Sequence, residues 1–239
     1  DWLLVVLMVA VAFLLDLAPA FHRRFSLTDT TIQYPMSKKS TVPSSMLFVI
    51  SVVVPVLVLA GIALSVRRCA YDLHQALLGL AIALSSTVLF IHVFKNFIGR
   101  PRPDFLDRCQ PRAGATDPAM ALSTISVCTQ TNAKILADGM KSFPSGHSAY
   151  SFAGLGYLSF YLAGKLRVFD ERGFVYKPLV ALLPLVGAAL VAISRLCDYR
   201  HHWEDVTIGS AIGLFLAYYA YRMFFPPLGH ARSGFPFPP

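Results

Sequence analysis

Residues 46–66 have the sequence MLFVISVVVPVLVLAGIALSV, which carries no charged side chain. A helix needs about 20 mostly apolar residues to cross a bilayer. Similar apolar stretches occur on both sides of this one, at residues 2–21, 73–94, 147–163, 179–193 and 206–225. The charge-free cores of the last three are short. The pattern predicts an all-α, polytopic membrane protein with six transmembrane helices around a helical-bundle core.

The overall composition agrees with a membrane protein. Of the 239 residues, 55% are hydrophobic and only 14% are charged, whereas a soluble domain carries about 25% charged residues. The formal net charge is +8, with the basic residues in loops and at helix ends. That placement indicates phosphate groups or anionic lipid headgroups as partners. No basic stripe interleaved with aromatic residues points to nucleic acid, and nothing indicates an oligomeric state.

The two ends of the chain allow further predictions. Ala18-Pro19-Ala20 resembles the small-residue end of a signal peptide. No basic region precedes it, however, so a first membrane helix is the favoured interpretation. The chain contains no internal repeat and no long linker, which predicts a single membrane domain over residues 1–239. The tail at residues 226–239 is rich in Pro and Gly and is predicted to be unstructured.

Helix parity divides the loops between two membrane faces. With six helices, the loops 22–45, 96–146 and 194–205 lie on one face. The loops 67–72 and 164–178 lie on the other face, together with both termini. Compact basic loops favour the second face as cytosolic, but the first face carries more Lys and Arg in total. The positive-inside rule therefore does not settle the orientation.

Three clusters of polar residues stand out, and all of them fall on the first face. KNFIGRPRP occupies residues 95–103 at the end of the third apolar stretch. FPSGH occupies residues 143–147, directly before the fourth, and SRLCDYRHHWED occupies residues 194–205, directly before the sixth. Because membrane helices bring their ends together at one surface, the three clusters are predicted to form one site.

The first group of candidate residues suits a phosphate ligand. Lys95, Arg102 and Arg195 supply three positive charges, and the planar fork of arginine matches the oxygens of a phosphate. Ser145 and Gly146 stand at a helix start, where free backbone N–H groups and the helix dipole favour an anion. Two alternatives are structural: basic residues that extend to the membrane interface, and a simple helix cap at Ser145.

The second group suits phosphoryl transfer. His201 and Asp205 are four residues apart at a helix start and so share one face. A carboxylate there keeps one ring nitrogen of His201 protonated and leaves the other free to attack phosphorus. His147, from another helix start, can protonate the leaving oxygen. A metal site formed by His201, His202 and Asp205 is the alternative, disfavoured because the nearby cations repel a divalent ion.

Taken together, the clusters resemble the three-part signature of the type 2 phosphatidic acid phosphatase superfamily. That signature is Lys, six residues, Arg-Pro; then Pro-Ser-Gly-His; then Ser-Arg, five residues, His, three residues, Asp. The chain matches it without departure. The flanking sequences GRPRPDF at 99–105 and CDYRHHW at 197–203 are similar to the branch that acts on phosphatidate and diacylglycerol pyrophosphate. The resemblance covers roughly residues 73–227.

The resemblance implies a mechanism and a location. It implies that His201 is the nucleophile of a phosphohistidine intermediate, that Asp205 orients it, and that His147 is the acid. It assigns phosphate binding to a set of five residues, Lys95, Arg102, Ser145, Gly146 and Arg195. It also implies that no metal or other cofactor is needed. Family members have six membrane helices, a lumenal or extracellular active site and cytosolic termini. The implied location is an endomembrane or the plasma membrane.

The resemblance also bears on the cysteines and on the substrate. Cys109 and Cys128 share one loop, and the sequence alone allows either a disulfide or two separate thiols. An oxidising compartment on that face implies the disulfide. A polyprenyl (dolichyl) pyrophosphate phosphatase of the same superfamily, and a non-catalytic lipid-binding membrane protein, are the alternative functions. The motifs bind the phosphate and not the lipid, so they do not identify the headgroup or chain.

Overall fold

A computed structural model describes residues 1–19, 21–37 and 39–238. The helices are, in chain order, α1 (Trp2–Asp16), α2 (Ser44–Val66), α3 (Ala70–Ile98), α4 (Phe105–Cys109), α5 (Ala133–Gly139), α6 (Gly146–Leu166), α7 (Tyr176–Cys197) and α8 (Trp203–Phe224). Two short 3₁₀ turns occupy Thr30–Ile32 and Ile125–Val127. The described residues form isolated β-bridges but no strand, which confirms the all-α class. Ala20, in the predicted first span, and Pro239, in the predicted tail, lie outside the described residues.

Three of the described helices, α2, α3 and α7, are long and apolar enough to cross a membrane. The helix α1 is apolar but has only 15 residues. The helices α6 and α8 have 21 and 22 residues, but their composition is more polar. A helix surrounded by other helices contacts little lipid, so it tolerates Ser, Gly and ionisable residues that a lipid-facing helix does not. The six predicted spans are thus not confirmed.

The helix α6 is the centre of the bundle and packs against α3, α7, α8 and the middle of α2. Small residues let the helix axes approach closely. A Cβ atom at Gly213 of α8 would lie 2.1 Å from the carbonyl oxygen of Ala149, and one at Gly209 would lie 2.5 Å from that of Ser145. Because only glycine fits at these two points, the start of α8 is held directly against the start of α6, where two of the three polar clusters meet.

A second, smaller apolar core lies in the loops on the face of the polar clusters. Phe25 from the first loop packs edge-on against Phe105 of α4, with ring centroids 4.8 Å apart. Ile32, Cys109 and Met140 complete this core and are almost completely buried. The loop before α6 is therefore a packed structure that includes α4 and α5, and it holds the end of α3 in place.

The tail prediction was wrong for residues 226–238. These residues form turns that pack against the helix ends on the face opposite the polar clusters. The Phe237 amide donates to the Phe224 carbonyl oxygen at 2.9 Å, and Lys165 Nζ donates to the Gly234 carbonyl oxygen at 2.7 Å. The Arg67 guanidinium lies 4.0 Å from the centre of the Phe235 ring. Pro and Gly prevent a regular helix, but they do not prevent aromatic side chains from packing.

Candidate active site

The end of α3 supplies the first cluster. Gly99 ends the helix in a left-handed conformation with φ of +57°, and a Cβ atom there would lie 1.8 Å from the Phe21 carbonyl oxygen. This turn directs the following residues, including Arg102, back over the bundle. Lys95 stays in the last turn of α3, where its Nζ would lie 3.4 Å from a Cβ atom built at Gly146. A glycine at the start of α6 thus leaves room for the lysine.

A cavity of about 430 Å³ lies where the three clusters meet. The predicted residues that line it are Lys95, Arg102, His147, Arg195 and His201. The structure therefore brings together two histidines and three cations from the three clusters. Ser145, Gly146 and Asp205 do not line the cavity.

Ser145 and Gly146 open α6, as the sequence predicts. The Ser145 side chain is fully buried, and its Oγ accepts a hydrogen bond from Ser148 Oγ at 2.9 Å and a long one from the Ser148 amide. The Ser145 amide donates to the Asp205 carbonyl oxygen at 2.9 Å. The side chain of Ser145 is thus a helix cap. Phosphate binding by Ser145 and Gly146 stays a prediction.

His201 is buried beside the cavity, with 4% of its surface exposed. Its Nδ1 lies 2.7 Å from the Ser142 carbonyl oxygen. A carbonyl only accepts hydrogen bonds, so Nδ1 carries the proton and Nε2 has the free lone pair. Burial lowers the pKa of the His201 imidazole to about 3, although the nearby Asp205 carboxylate acts to raise it. The ring is therefore neutral at physiological pH, as a nucleophile must be.

Asp205 lies close to His201 but does not form the hydrogen bond that the four-residue spacing suggests. Its Oδ2 is 3.8 Å from His201 Nδ1. The same oxygen accepts hydrogen bonds from Ser142 Oγ at 2.5 Å and from the His202 amide at 2.9 Å. Its Oδ1 accepts from Arg100 Nη1 at 2.8 Å. Asp205 thus caps the start of α8, as acidic residues in the first helical turn commonly do. It also binds the Ser142 side chain, and the Ser142 carbonyl oxygen orients the His201 ring.

His147 stands across the cavity at the start of α6. Its Nε2 lies 3.2 Å from the Val42 carbonyl oxygen. Nothing in the sequence pointed to Val42, which belongs to the first loop and lies 105 residues from its partner. The contact fixes the orientation of the ring on the side of the cavity that faces the first loop.

The chain matches the PAP2 superfamily over residues 76–227. It belongs to this family. It is 44% identical to diacylglycerol pyrophosphate phosphatase 1 of Saccharomyces cerevisiae, over 95% of this chain and 80% of the yeast protein. It is 42% identical to lipid phosphate phosphatase 2 of Arabidopsis thaliana, over 95% of this chain and 77% of the plant protein. No solved structure matches the chain.

In this PAP2 protein, the first loop also binds the arginine of the third cluster. Arg195 Nη1 donates to Ser40 Oγ at 2.8 Å, and Arg195 Nη2 donates to Asp198 Oδ2 at 2.9 Å. Asp198 in turn accepts from the Thr41 amide at 2.8 Å and from Thr41 Oγ1 at 2.6 Å. Ser40, Thr41 and Val42 form a short strap over the cavity. No sequence pattern indicated this strap, although Asp198 lies within the third cluster.

Five further residues line the cavity without having been predicted as site residues, and they are Ser40, Pro43, Ser44, Asp138 and Arg200. Arg200 adds a fourth cation, and its Nη2 donates to the Ser37 carbonyl oxygen at 3.0 Å. Asp138 is the one acidic side chain among the described lining residues. A phosphate in the cavity would thus meet four cations and one carboxylate.

The loop that carries Asp138 is cross-linked. Cys109, at the end of α4, forms a disulfide with Cys128. Cys69 and Cys197 are free and exposed. The described residues contain no group of three or more His, Cys, Asp or Glu side chains arranged to hold a metal ion. Metal independence stays a prediction, and an assay in excess EDTA would test it.

Proposed function

We propose that this protein is a lipid phosphate phosphatase that hydrolyses phosphatidate and diacylglycerol pyrophosphate through a phosphohistidine on His201. The observation that carries the proposal is the cavity itself, in which a neutral, buried His201 and His147 stand among Lys95, Arg102 and Arg195. The curated relatives named for these substrates support the lipid class. Exposed apolar side chains along α2 and α7 support a substrate that arrives from a membrane.

The reaction proceeds in two displacements. In the first, the His201 Nε2 lone pair forms an N–P bond while the bond from phosphorus to the leaving oxygen breaks. His147 gives a proton to that oxygen, and the dephosphorylated lipid leaves. In the second, His147 takes a proton from water as the water oxygen attacks phosphorus, the N–P bond breaks, and inorganic phosphate is released. The surrounding cations bind the phosphoryl oxygens throughout.

We expect purified protein to release phosphate from phosphatidate and from diacylglycerol pyrophosphate, with full activity in excess EDTA and loss of activity with orthovanadate. Vanadate adopts a trigonal bipyramidal form that resembles the transferring phosphoryl group. A panel that includes a polyprenyl pyrophosphate tests the alternative substrate, and His201→Ala serves as the blank. A clear preference for the polyprenyl substrate would replace the proposed one, and loss of activity with EDTA would contradict the metal-independent mechanism. No release from any lipid would favour a non-catalytic lipid-binding protein.

We also propose that α1, α2, α3, α6, α7 and α8 all cross the membrane, so that the cavity lies on the lumenal or extracellular face. Two native cysteines offer a direct test. Cys69 lies between α2 and α3, and Cys197 ends α7; both are exposed thiols. With six spans, they lie on opposite faces. The oxidised Cys109–Cys128 pair does not interfere.

Single-thiol variants, Cys69→Ser and Cys197→Ser, should therefore react differently with a membrane-impermeant maleimide added to the non-cytosolic side of sealed membranes. We expect the Cys69→Ser protein, which keeps Cys197, to be labelled on the non-cytosolic side. The Cys197→Ser protein should be labelled only after the membrane is permeabilised. Labelling of both variants from the same side would contradict the six-span arrangement.

A further inference from the structure

The Arg102 side chain is held by Asp138 of the loop before α6 and by a long hydrogen bond from its Nη1 to the Arg200 carbonyl oxygen at 3.4 Å. Arg102 Nη2 donates to Asp138 Oδ1 at 2.8 Å, and Arg102 Nε donates to the Asp138 carbonyl oxygen at 2.8 Å. The Arg102 amide also donates to the Gly139 carbonyl oxygen at 2.8 Å. The end of α5 thus binds both the guanidinium and the backbone of this arginine, which fixes the edge formed by Nε and Nη2 where Arg102 lines the cavity.

Asp138 is in turn held from behind. Its Oδ2 accepts a hydrogen bond from Arg108 Nη1 at 2.8 Å, and Arg108 Nη2 pairs with Asp104 Oδ2 at 2.9 Å. Arg108 is 2% exposed and Asp104 is completely buried. Removing one partner from a buried ion pair leaves an uncompensated charge and is strongly unfavourable. The four side chains therefore form one row of alternating charge that ends at the phosphate cavity.

The local sequence explains this row. Asp104 and Arg108 are four residues apart and flank one turn of helix, so their side chains meet. Gly139 lets α4 approach α5, because a Cβ atom there would lie 3.0 Å from the Phe105 ring and 3.2 Å from Arg108 Cδ. Partial burial raises the pKa of the Asp138 carboxyl, whose side chain is 48% exposed, but the two arginines outweigh this effect and hold the pKa at about 2. Asp138 is therefore ionised at any working pH.

We propose that Asp138 is a positioning residue for Arg102, and that Arg108 and Asp104 hold Asp138 in place. The inference rests on the proposed function, because phosphate binding by Arg102 is part of that proposal. It gives the loop between α3 and α6 a definite task, which is to set the geometry and therefore the strength of phosphate binding. Two simpler roles predict different results: a counter-charge that merely weakens phosphate binding, and an ion pair that merely stabilises the loop.

The test is a double-mutant cycle of Asp138→Asn and Arg102→Ala, with orthovanadate as the probe. Vanadate binding is followed by the rise in melting temperature of the detergent-solubilised protein, which does not require turnover, and kcat/KM is measured on phosphatidate. We expect Asp138→Asn to weaken vanadate binding and to lower kcat/KM by about 10-fold each, the loss of one charge-assisted contact. In the Arg102→Ala background, Asp138→Asn should change neither value by more than about two-fold, because coupled residues are not additive.

Asp107→Asn is the matched control. Asp107 lies on α4 next to Arg108, but its carboxylate is exposed and accepts a hydrogen bond from the Met36 amide at 2.7 Å. This variant should bind vanadate as the wild type does. If Asp138→Asn does not fold, Asp138→Glu enters the same cycle, since it keeps the charge and displaces it by one methylene. We expect Asp138→Glu to weaken vanadate binding less than Asp138→Asn does. In the Arg102→Ala background, Asp138→Glu should cause no further loss.

Three results would overturn the inference. Tighter vanadate binding by Asp138→Asn would show a plain counter-charge. A lower melting temperature with unchanged vanadate affinity would show a structural ion pair. Losses that multiply with those of Arg102→Ala would show that the two residues act independently. Failure of the proposed function looks different, because the wild-type protein would then release no phosphate from any lipid.

Discussion

Replacing His201 with alanine should abolish phosphoenzyme formation and lower phosphate release at least about 10⁴-fold, as expected when a covalent nucleophile is removed. Other groups do not replace it. His147 lines the cavity from the start of α6, and His202 does not line it; the Nδ1 of His202 lies 3.3 Å from Asp205 Oδ2. Brief reaction with a ³²P-labelled lipid, followed by a denaturing quench at alkaline pH, should trap acid-labile phosphate on the wild type and none on His201→Ala.

His202→Ala is the matched control for this experiment. The His202 side chain takes part in the cap at the start of α8 and does not line the cavity. Loss of a helix cap costs about 1 kcal/mol of stability, so this variant should melt at a lower temperature and still form the phosphoenzyme. Acid-labile phosphate trapped on His201→Ala but absent from His202→Ala would show that His202, and not His201, is the nucleophile.

Replacing His147 with alanine should have an effect that depends on the leaving group. General acid catalysis is commonly worth about 10²–10⁴-fold, and the alkoxide released from phosphatidate needs it fully. Attack on the terminal phosphorus of diacylglycerol pyrophosphate releases phosphatidate, whose phosphate oxygen is a stable anion without an added proton. We therefore expect kcat on phosphatidate to fall within that range, and kcat on diacylglycerol pyrophosphate to fall much less.

The measurement is steady-state hydrolysis of both lipids by wild type and His147→Ala in the same mixed micelles. His147→Gln is the control for steric loss, since its side chain fills the space without acting as an acid. Equal losses on the two substrates would contradict the acid role and would instead favour a role in binding the phosphate. An intermediate that still forms but hydrolyses slowly would extend the role of His147 to activation of the water.

The contacts that complete the site could not be predicted from the sequence. Arg195 meets Ser40 across 155 residues of chain, and Arg102 meets Asp138 across 36. Spacing encodes contacts only within a helical turn or at the two ends of one element. The strap over the cavity depends instead on where the first loop leaves α1 and enters α2, which the packing of the whole bundle fixes.

The role of Asp205 shows the same limit at shorter range. The four-residue spacing from His201 correctly brings the two side chains near each other, and the ring nitrogen still binds the Ser142 carbonyl oxygen instead. Spacing gives the face of a helix, but the start of α8 leaves free backbone N–H groups that compete for the same carboxylate. Only the folded loop that contains Ser142 decides that competition.

Sequence alone predicts the helical class and five of the ten residues that line the cavity. Uncharged stretches of membrane length have few stable forms other than helices. Phosphoryl transfer through histidine needs a histidine and cations, and the three sequence clusters supply them at helix ends. The tertiary structure alone decided which carboxylates and carbonyls hold those side chains. It also decided that the Pro- and Gly-rich tail packs against the opposite face, where Arg67 covers Phe235. Such contacts join residues distant in sequence, and their energy comes from burial and packing, which local composition does not encode.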